Sequence, residues 1–460
     1  MTRPSRWHRS SGTRVVGHYL RLALKSFWRT PGLTALMICS VALGIAVCIV
    51  TLTVYHATSR NPISWKGDQL YAVTMDSWDP HTPANPERPE LPPNQVTYRD
   101  AKYLLDSAIP LRKVVMFETQ DVISGGGADA KPAPLTSRVT TADFFKMFDV
   151  PFLYGGGWKG RDDTDSAPVI VLSKEQNEKL FGGANSVGRT IRWNDREFRI
   201  VGVLDTWFPT PKFYDLTRGA FDAPEDAYVP FGWAETLGRF PNGGRVACWQ
   251  NESIPSFTAF LHSDCVWLQM WVELPDAESR DRLQGVIDAY WAEQHKTGRF
   301  QRPRNNRLTN VSGWLIDQHV VQNDNRILVG IAFAFLAVCL LNTVGMMVAK
   351  FLKSAPSIGI RRALGATRGE IFLQHLIEVG LLCACGAAAG LALAAVGLWQ
   401  VHALYAEGEF GRGGYQELAH FDSVSVVWAL VLAVLAGLGA GLYPAWRAGR
   451  LSPAVYLKVQ

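Results

Sequence analysis

Residues 356–376, Pro-Ser-Ile-Gly-Ile-Arg-Arg-Ala-Leu-Gly-Ala-Thr-Arg-Gly-Glu-Ile-Phe-Leu-Gln-His-Leu, form a short, basic, half-apolar segment between two long hydrophobic runs. Those runs decide the fold class. The windows 30–59, 327–349, 379–406 and 423–446 contain no Asp, Glu, Lys or Arg, and each is longer than the roughly 20 residues that cross a bilayer. A soluble chain of 460 residues would be expected to hold two to four domains. Here apolar residues make up 48% and charged ones only 19%. The expected fold is a membrane protein, α-helical with four transmembrane helices, plus a large mixed α/β domain inserted between spans 1 and 2.

The net charge of +5 hides a separation. Residues 1–30 carry seven Lys/Arg and no acid, 350–370 carry five against Glu370 alone, and 447–460 carry three with no acid. The loop 407–422 instead sets Arg412 against Glu407, Glu409, Glu417 and Asp422. The positive-inside rule therefore places both termini and the central loop in the cytoplasm, and the inter-span segment outside. The basic N-terminus is assigned to membrane lipid, not to nucleic acid. No cleavable signal peptide is expected, because the first apolar run begins late and is too long.

The resulting division is a cytoplasmic amphipathic helix (1–30), span 1 (31–58), an external domain (59–325), span 2 (326–349), a cytoplasmic loop (350–371), span 3 (372–402), a short external loop (403–422), span 4 (423–446) and a cytoplasmic tail (447–460). In the first segment Arg14, His18, Arg21, Lys25 and Arg29 recur every three or four residues and make one cationic stripe. Such a helix lies flat at the inner membrane surface with its cations near anionic headgroups. Gly386 with Gly390, and Gly437 with Gly441, repeat small residues at the spacing that lets helix backbones approach. Ordinary membrane glycine is the alternative.

Period-two runs predict strands in the external segment over 69–75, 111–117, 168–172, 190–193, 198–204 and 266–274. Helices are expected over 95–107, 141–148, 174–181 and 277–295. The Pro/Gly-rich stretch 205–256 is loop-rich and holds Trp207, Phe208, Phe213, Tyr214, Trp233 and Trp249. Cys248 and Cys265 are the only cysteines outside the spans. In an oxidising compartment they suggest a disulfide stabilising by about 3 kcal/mol, with two separate buried thiols as the alternative.

The segment Ile360-Arg-Arg-Ala-Leu-Gly-Ala-Thr-Arg-Gly-Glu-Ile371 resembles the I-x-x-A-L-G-A-[ST]-x-x-x-I pattern of ABC permeases of the MacB/FtsX superfamily. The external segment is similar to a MacB-like periplasmic core domain at 140–145, 167–173, 180–183, 187–192 and 200–203, in matching order and spacing. The ending 441–448 with Ser452-Pro453-Ala454 is similar to the permease C-terminus. Nothing in 205–260 aligns. The resemblance implies a bacterial inner-membrane permease subunit whose periplasmic domain has two subdomains. It implies an ATPase-coupling element at Ile358, Gly359, Ile360, Arg361, Arg362, Ala363, Leu364, Gly365 and Ala366. It further implies a separate ABC ATPase, a second permease copy or paralogue, and a periplasmic adaptor with an outer-membrane channel. ATP-driven motion would pass to the periplasmic domain for efflux of a small molecule or peptide. An FtsX-like regulator of a cell-wall hydrolase and a lipoprotein-releasing permease are the alternatives.

No catalytic or metal site is expected in this chain, and no cofactor; ATP and Mg belong on the partner. Gly183-Ala-Asn-Ser-Val-Gly-Arg-Thr190 has phosphate-loop spacing but Arg in place of Lys, with no accompanying ATPase element and an external position. The glycines are read instead as turns before a strand. Glu378 is the only acid near a span. A structural ion pair with Arg361, Arg362 or Arg368 is expected for it, with a coupling role as the alternative.

Overall fold

The computed structural model describes residues 12–406 apart from 60, 125–131, 195, 237, 239–240, 242–245, 251–253 and 321–322, together with 427, 428, 431, 432 and 435. The chain divides into two compact units, one holding the long apolar helices and one spanning Ser59–Val321.

The chain opens with helices α1 (Gly12–Arg29) and α2 (Pro31–Ser59). The inter-span domain then runs β1 (Leu70–Thr74), α3 (Tyr98–Leu105), β2 (Arg112–Ser124), β3 (Ala133–Thr140), α4 (Asp143–Met147), β4 (Phe152–Gly155), α5 (Gly160–Thr164) and β5 (Val169–Leu172). It continues through α6 (Lys174–Phe181), β6 (Thr190–Trp193), β7 (Arg196–Leu204), β8 (Ala227–Pro230), α7 (Trp233–Thr236), α8 (Phe257–Leu261), β9 (Gln269–Glu273), α9 (Ala277–Lys296), β10 (Arg307–Asn310) and α10 (Val311–Asp317). Helices α11 (Asn323–Ala363) and α12 (Arg368–Ala406) return to the membrane unit.

Ten strands make one mixed sheet in the order β10-β1-β9-β2-β3-β8-β5-β7-β4, with β6 bridging β2 and β7. Strands from the two ends of the domain lie at one edge and strands from its middle at the other. Alternate residues serve two cores. Val73, Val115, Ile170 and Val272 belong to one, and Ala72, Val114, Val171 and Trp271 to the other. A sheet covered on both faces needs continuous apolar strands, as in the fully buried Val-Ile-Val-Leu of β5. On the first face, α3 contributes Ala101 and Leu104 and α9 contributes Leu283, Ile287 and Tyr290. On the second, α4 contributes Phe144, Phe145 and Met147, and α10 contributes Trp314 and Leu315.

Side-chain caps fix where these helices begin. Thr97 accepts from Asp100 N, Ser173 from Gln176 N, Asp276 from Ser279 N and Asn310 from Gly313 N, each satisfying an amide the helix leaves free. Helix α6 stops where Gly182 adopts φ 62°, a conformation that is costly for residues with a Cβ. Helices α3, α4, α6 and α9 fall within two or three residues of expectation. Strands β3, β4, β8 and β10 were not expected. Each is short, polar or carries proline, which erases the period-two signal.

Three helices among the described residues are long and apolar enough to cross a membrane: Pro31–His56, Ile327–Arg361 and Arg368–Gln400. Of the fourth expected span only Val427, Trp428, Val431, Leu432 and Leu435 are described, all helical. Leu432 is buried with Met37, Val41 and Leu382 in the helical core. Four spans therefore stand as three described helices and this fragment.

Glycine sets the approach of the spans. A Cβ at Gly386 would lie 2.7 Å from Val41 Cγ1, and one at Gly390 2.9 Å from the Ala42 carbonyl oxygen. On a neighbouring face of α2, a Cβ at Gly44 would lie 2.8 Å from Leu336 Cδ1. Ser40 Oγ donates to the Cys339 carbonyl at 3.1 Å and Cys48 Sγ to that of Ala332 at 3.2 Å. Helix α2 is thus wedged against both α11 and α12 by close backbone contact. Gly437 and Gly441 lie outside the described residues.

Candidate functional site: the tip of the α11–α12 hairpin

The segment expected as a loop, 350–371, is helical except at 364–367. The turn is built by two linked caps. Gly365 takes φ 105°, and the Ala366 amide donates to the Arg361 carbonyl at 3.1 Å. That six-to-one bond around a left-handed glycine is a Schellman ending for α11. Thr367 then opens α12. Its amide donates to Glu370 Oε2 at 3.0 Å while its hydroxyl accepts from the Glu370 amide at 3.3 Å, the reciprocal pair of a capping box. The segment Leu-Gly-Ala-Thr-Arg-Gly-Glu is therefore a stop signal and a start signal fused into a four-residue turn.

This turn presents an unusual surface. Leu364 is 83% exposed and Ile360 55% exposed, while Ile358 and Gly359 are buried in the helix pair. Arg361 and Arg368 are exposed beside them. Arg361 Nη1 donates across the hairpin to Gln374 Oε1 at 3.1 Å. The expected apolar face thus divides: Ile358 packs inward, and Ile360 and Leu364 point out. The side chains of Arg362 and Ala363 lie outside the described residues.

Glu378 is buried, and its partners differ from those expected. Among the described side chains, the carboxylate pairs with neither Arg361 nor Arg368; that of Arg362 lies outside them. Glu378 Oε1 accepts from Lys350 Nζ at 2.6 Å and from Ser26 Oγ at 2.6 Å, and Oε2 lies 3.4 Å from His375 Nδ1. The reason is helical geometry. Glu378 stands ten residues into α12 and Lys350 thirteen residues before the end of α11 at Ala363, so in an antiparallel pair they lie about 15 and 20 Å from the turn. The arginines sit at the tip itself. Phe27 and Phe351 close the node, with Lys350 Nζ 5.3 Å from the Phe27 ring and the Phe351 and His375 rings 4.1 Å apart.

Helix α1 contributes Ser26 and Phe27 to that node, with Ala23 also buried. Arg21, Lys25 and Arg29 are exposed. Beside them runs an exposed apolar line of Leu20, Leu24 and Trp28. The side chain of Arg14 lies outside the described residues.

In the inter-span domain, Cys248 and Cys265 are joined by a disulfide. The Gly183–Thr190 segment leads into strand β6 and not into a helix, with Gly183 at φ 80° and Gly188 at φ 87°. A phosphate loop needs a helix N-terminus at that point.

One cluster escaped the sequence reading. Glu118 on β2 and Arg138 on β3 are cross-strand partners, and the stretch 212–225 folds over them. Arg138 Nη1 lies 2.7 Å from Asp215 Oδ2, its Nη2 bonds Glu225, and Lys212 Nζ lies 2.7 Å from Glu225 Oε1. Tyr214 OH donates to Glu225 Oε2 at 3.1 Å and Arg218 Nη1 to Glu118 Oε1 at 3.1 Å. Burial raises the Glu225 pKa, but the Arg138 and Lys212 charges more than offset this and hold it at about 2. Glu118, Asp215 and Glu225 come close enough to hold a metal ion, yet two buried cations already occupy that role. The stretch that aligned with nothing is thus part of the core, with Phe213 and Tyr214 also fully buried.

The family described as MacB-like periplasmic core domain matches residues 34–290, and the one described as FtsX-like permease C-terminal matches 329–453. The chain belongs to the MacB/FtsX-type ABC permeases. Among relatives of this family, the pyoverdine export ATP-binding/permease protein PvdT of Pseudomonas aeruginosa is 24% identical over 447 residues, covering 96% of this chain and 58% of that protein. The macrolide export ATP-binding/permease protein MacB of Rhodospirillum rubrum is 27% identical over 314 residues, covering 68% of this chain and 41% of that one. The chain therefore spans about half the length of these relatives. Among solved structures, the periplasmic region of MacB from Actinobacillus actinomycetemcomitans aligns at 13% identity and a TM-score of 0.36, covering 57% of this chain and 96% of that one. Within the FtsX-like match lie α11 from residue 329, the turn and α12, so the hairpin tip belongs to the permease half of the family.

Proposed function

We propose that this chain is the membrane subunit of an ABC exporter in the bacterial inner membrane, with both termini and the hairpin tip in the cytoplasm and residues 59–325 in the periplasm. ATP and Mg are bound by an ATPase on another chain, which docks on the tip. Nucleotide-driven closure of two ATPase subunits moves the hairpins of two permease copies, or of this chain and a paralogue. The spans pass that motion to the periplasmic domains without the cargo threading between them.

One observation carries this reading. Ile360 and Leu364 are exposed on a turn held by a Schellman ending and a capping box, with Arg361 and Arg368 alongside. A rigid apolar knob ringed by cations fits an apolar groove with an acidic rim, and a rigid element transmits displacement where a flexible loop absorbs it. Export is favoured over hydrolase control or lipoprotein release by the relatives named for pyoverdine and macrolide export. On this reading the cargo is a small molecule or peptide, handed to a periplasmic adaptor and an outer-membrane channel.

The experiment is to replace Ile360 or Leu364 by Asp and measure membrane insertion, ATPase co-purification and cargo export. Insertion should be retained while export falls at least tenfold, equivalent to about 1.4 kcal/mol or more of lost docking energy. Export at the parental rate in both variants overturns the assignment of the tip.

A further inference from the structure

The node around Glu378 does more than pair a buried acid. Its single carboxylate reaches three helices: Oε1 accepts from Ser26 on α1 and from Lys350 on α11, and Glu378 itself belongs to α12. All three side chains are at least partly buried, with Lys350 and Glu378 only about one-twentieth exposed. In such surroundings an ion pair is held to a narrow geometry, because losing either member leaves a buried charge unmatched. Helix α1 brings two contacts to it, the Ser26 hydroxyl and the Phe27 ring beneath the Lys350 ammonium. Leu20, Leu24 and Trp28 are exposed, and a step of two residues separates Leu24 and Trp28 from Ser26, about 200° around the helix. Ser26 and Phe27 thus fasten one flank of α1 to the hairpin, and Leu24 and Trp28 lie exposed on the flank beyond Phe27, placed to meet lipid.

We propose that Glu378 locks α1 to the α11–α12 hairpin, so that the interfacial helix and the ATPase-driven hairpin move as one body. This rests on the reading of the hairpin as the input of the exporter. A displacement of the tip then drags an amphipathic helix across the membrane surface. The bilayer, by its charge and packing, resists or assists each stroke. Lys350 and Glu378 hold the two long helices in register, and Ser26 with Phe27 adds α1 to them.

The test needs no ATPase, so its outcome is separate from that of tip docking. The full chain is placed in nanodiscs of phosphatidylethanolamine and phosphatidylglycerol, and hydrogen–deuterium exchange is followed over residues 17–29 and 364–380. Ser26→Ala leaves the charge pair intact. It should speed exchange in 17–29 at least tenfold and leave 364–380 unchanged. Glu378→Gln should speed both. The triple variant R21Q/K25Q/R29Q, which removes lipid attraction but not the node, should change 17–29 less than threefold. The proposal is overturned if Ser26→Ala leaves 17–29 within threefold of the parent, or if the triple variant alone releases α1. Should Glu378→Gln fail to insert, Ser26→Ala decides the matter.

Discussion

Arg138 has no exposed surface and faces Glu118, Asp215 and Glu225. Replacing it by Met would leave three buried carboxylates facing Lys212 as the remaining buried cation among the described residues. Such a loss costs about 3–5 kcal/mol, readable as a lowered denaturation midpoint in the tryptophan fluorescence of the full chain in nanodiscs. Two carboxylates of the same domain give opposite pH dependences. Glu225, with a folded pKa of about 2 against an ordinary 4.5, contributes stability above pH 4.5 that is lost as pH falls toward 2. Asp163 behaves in reverse. Burial lifts its pKa to about 6, despite hydrogen bonds from the Ala142 and Phe231 amides and the Trp158 indole. Its contribution is full below its ordinary 3.8 and disappears as pH rises through 6. Each amounts to about 3 kcal/mol. Denaturation midpoints at pH 4 and pH 7 should show the Asp163 slope in the parent and not in Asp163→Asn. None of this was legible in the sequence. The partners of Arg138 lie on strands and loops up to 87 residues away, and such pairing leaves no periodic trace. The two external cysteines were legible because the compartment left few other readings.

At the scale of elements, the long apolar runs announced α2, α11 and α12, since nothing else tolerates so many residues without a charge. Their ends were not announced. Helices α11 and α12 continue well past the charge-free windows, because Lys350, Lys353 and Arg361 can sit in a helix that leaves the bilayer. The Gly365 stop and the Thr367–Glu370 start were both present as letters, and a search for caps would have found the hairpin. Glu378 was misassigned for a related reason. Distance along the chain suggests Arg368, whereas antiparallel helices bring together residues at comparable distances from the turn. The glycine spacing on α12 was read from the sequence, and the partner helix could come only from the structure. Replacing Gly390 by Val would drive methyl groups into the Ala42 carbonyl and Ile45. Overpacking of this kind costs about 1–3 kcal/mol and should lower the thermal midpoint of the purified chain, while Gly380→Ala, at an exposed and uncrowded position, should not.

For the whole molecule, a mixed α/β domain between apolar spans was readable from alternating runs, but its sheet order was not. Six strands were expected and ten are present among the described residues, and four without a sequence signal include both ends of the sheet, β10 and β4. Their side chains are half-buried at best, so burial gave them no pattern. The edge pair has a mechanical meaning. Tyr71 on β1 faces Asn310 on β10, and Thr74 faces Arg307. The chain thus enters β1 from α2 and leaves β10 toward α11 at the same end of an antiparallel ribbon. Tension applied unequally to those two ends would, once α10 with its buried Trp314 and Leu315 had given way, unzip the ribbon one rung at a time, the direction in which a ladder is weakest. Tension applied equally would meet the whole sheet at once. On the proposed export reading, the two tethers would therefore have to be hauled in step.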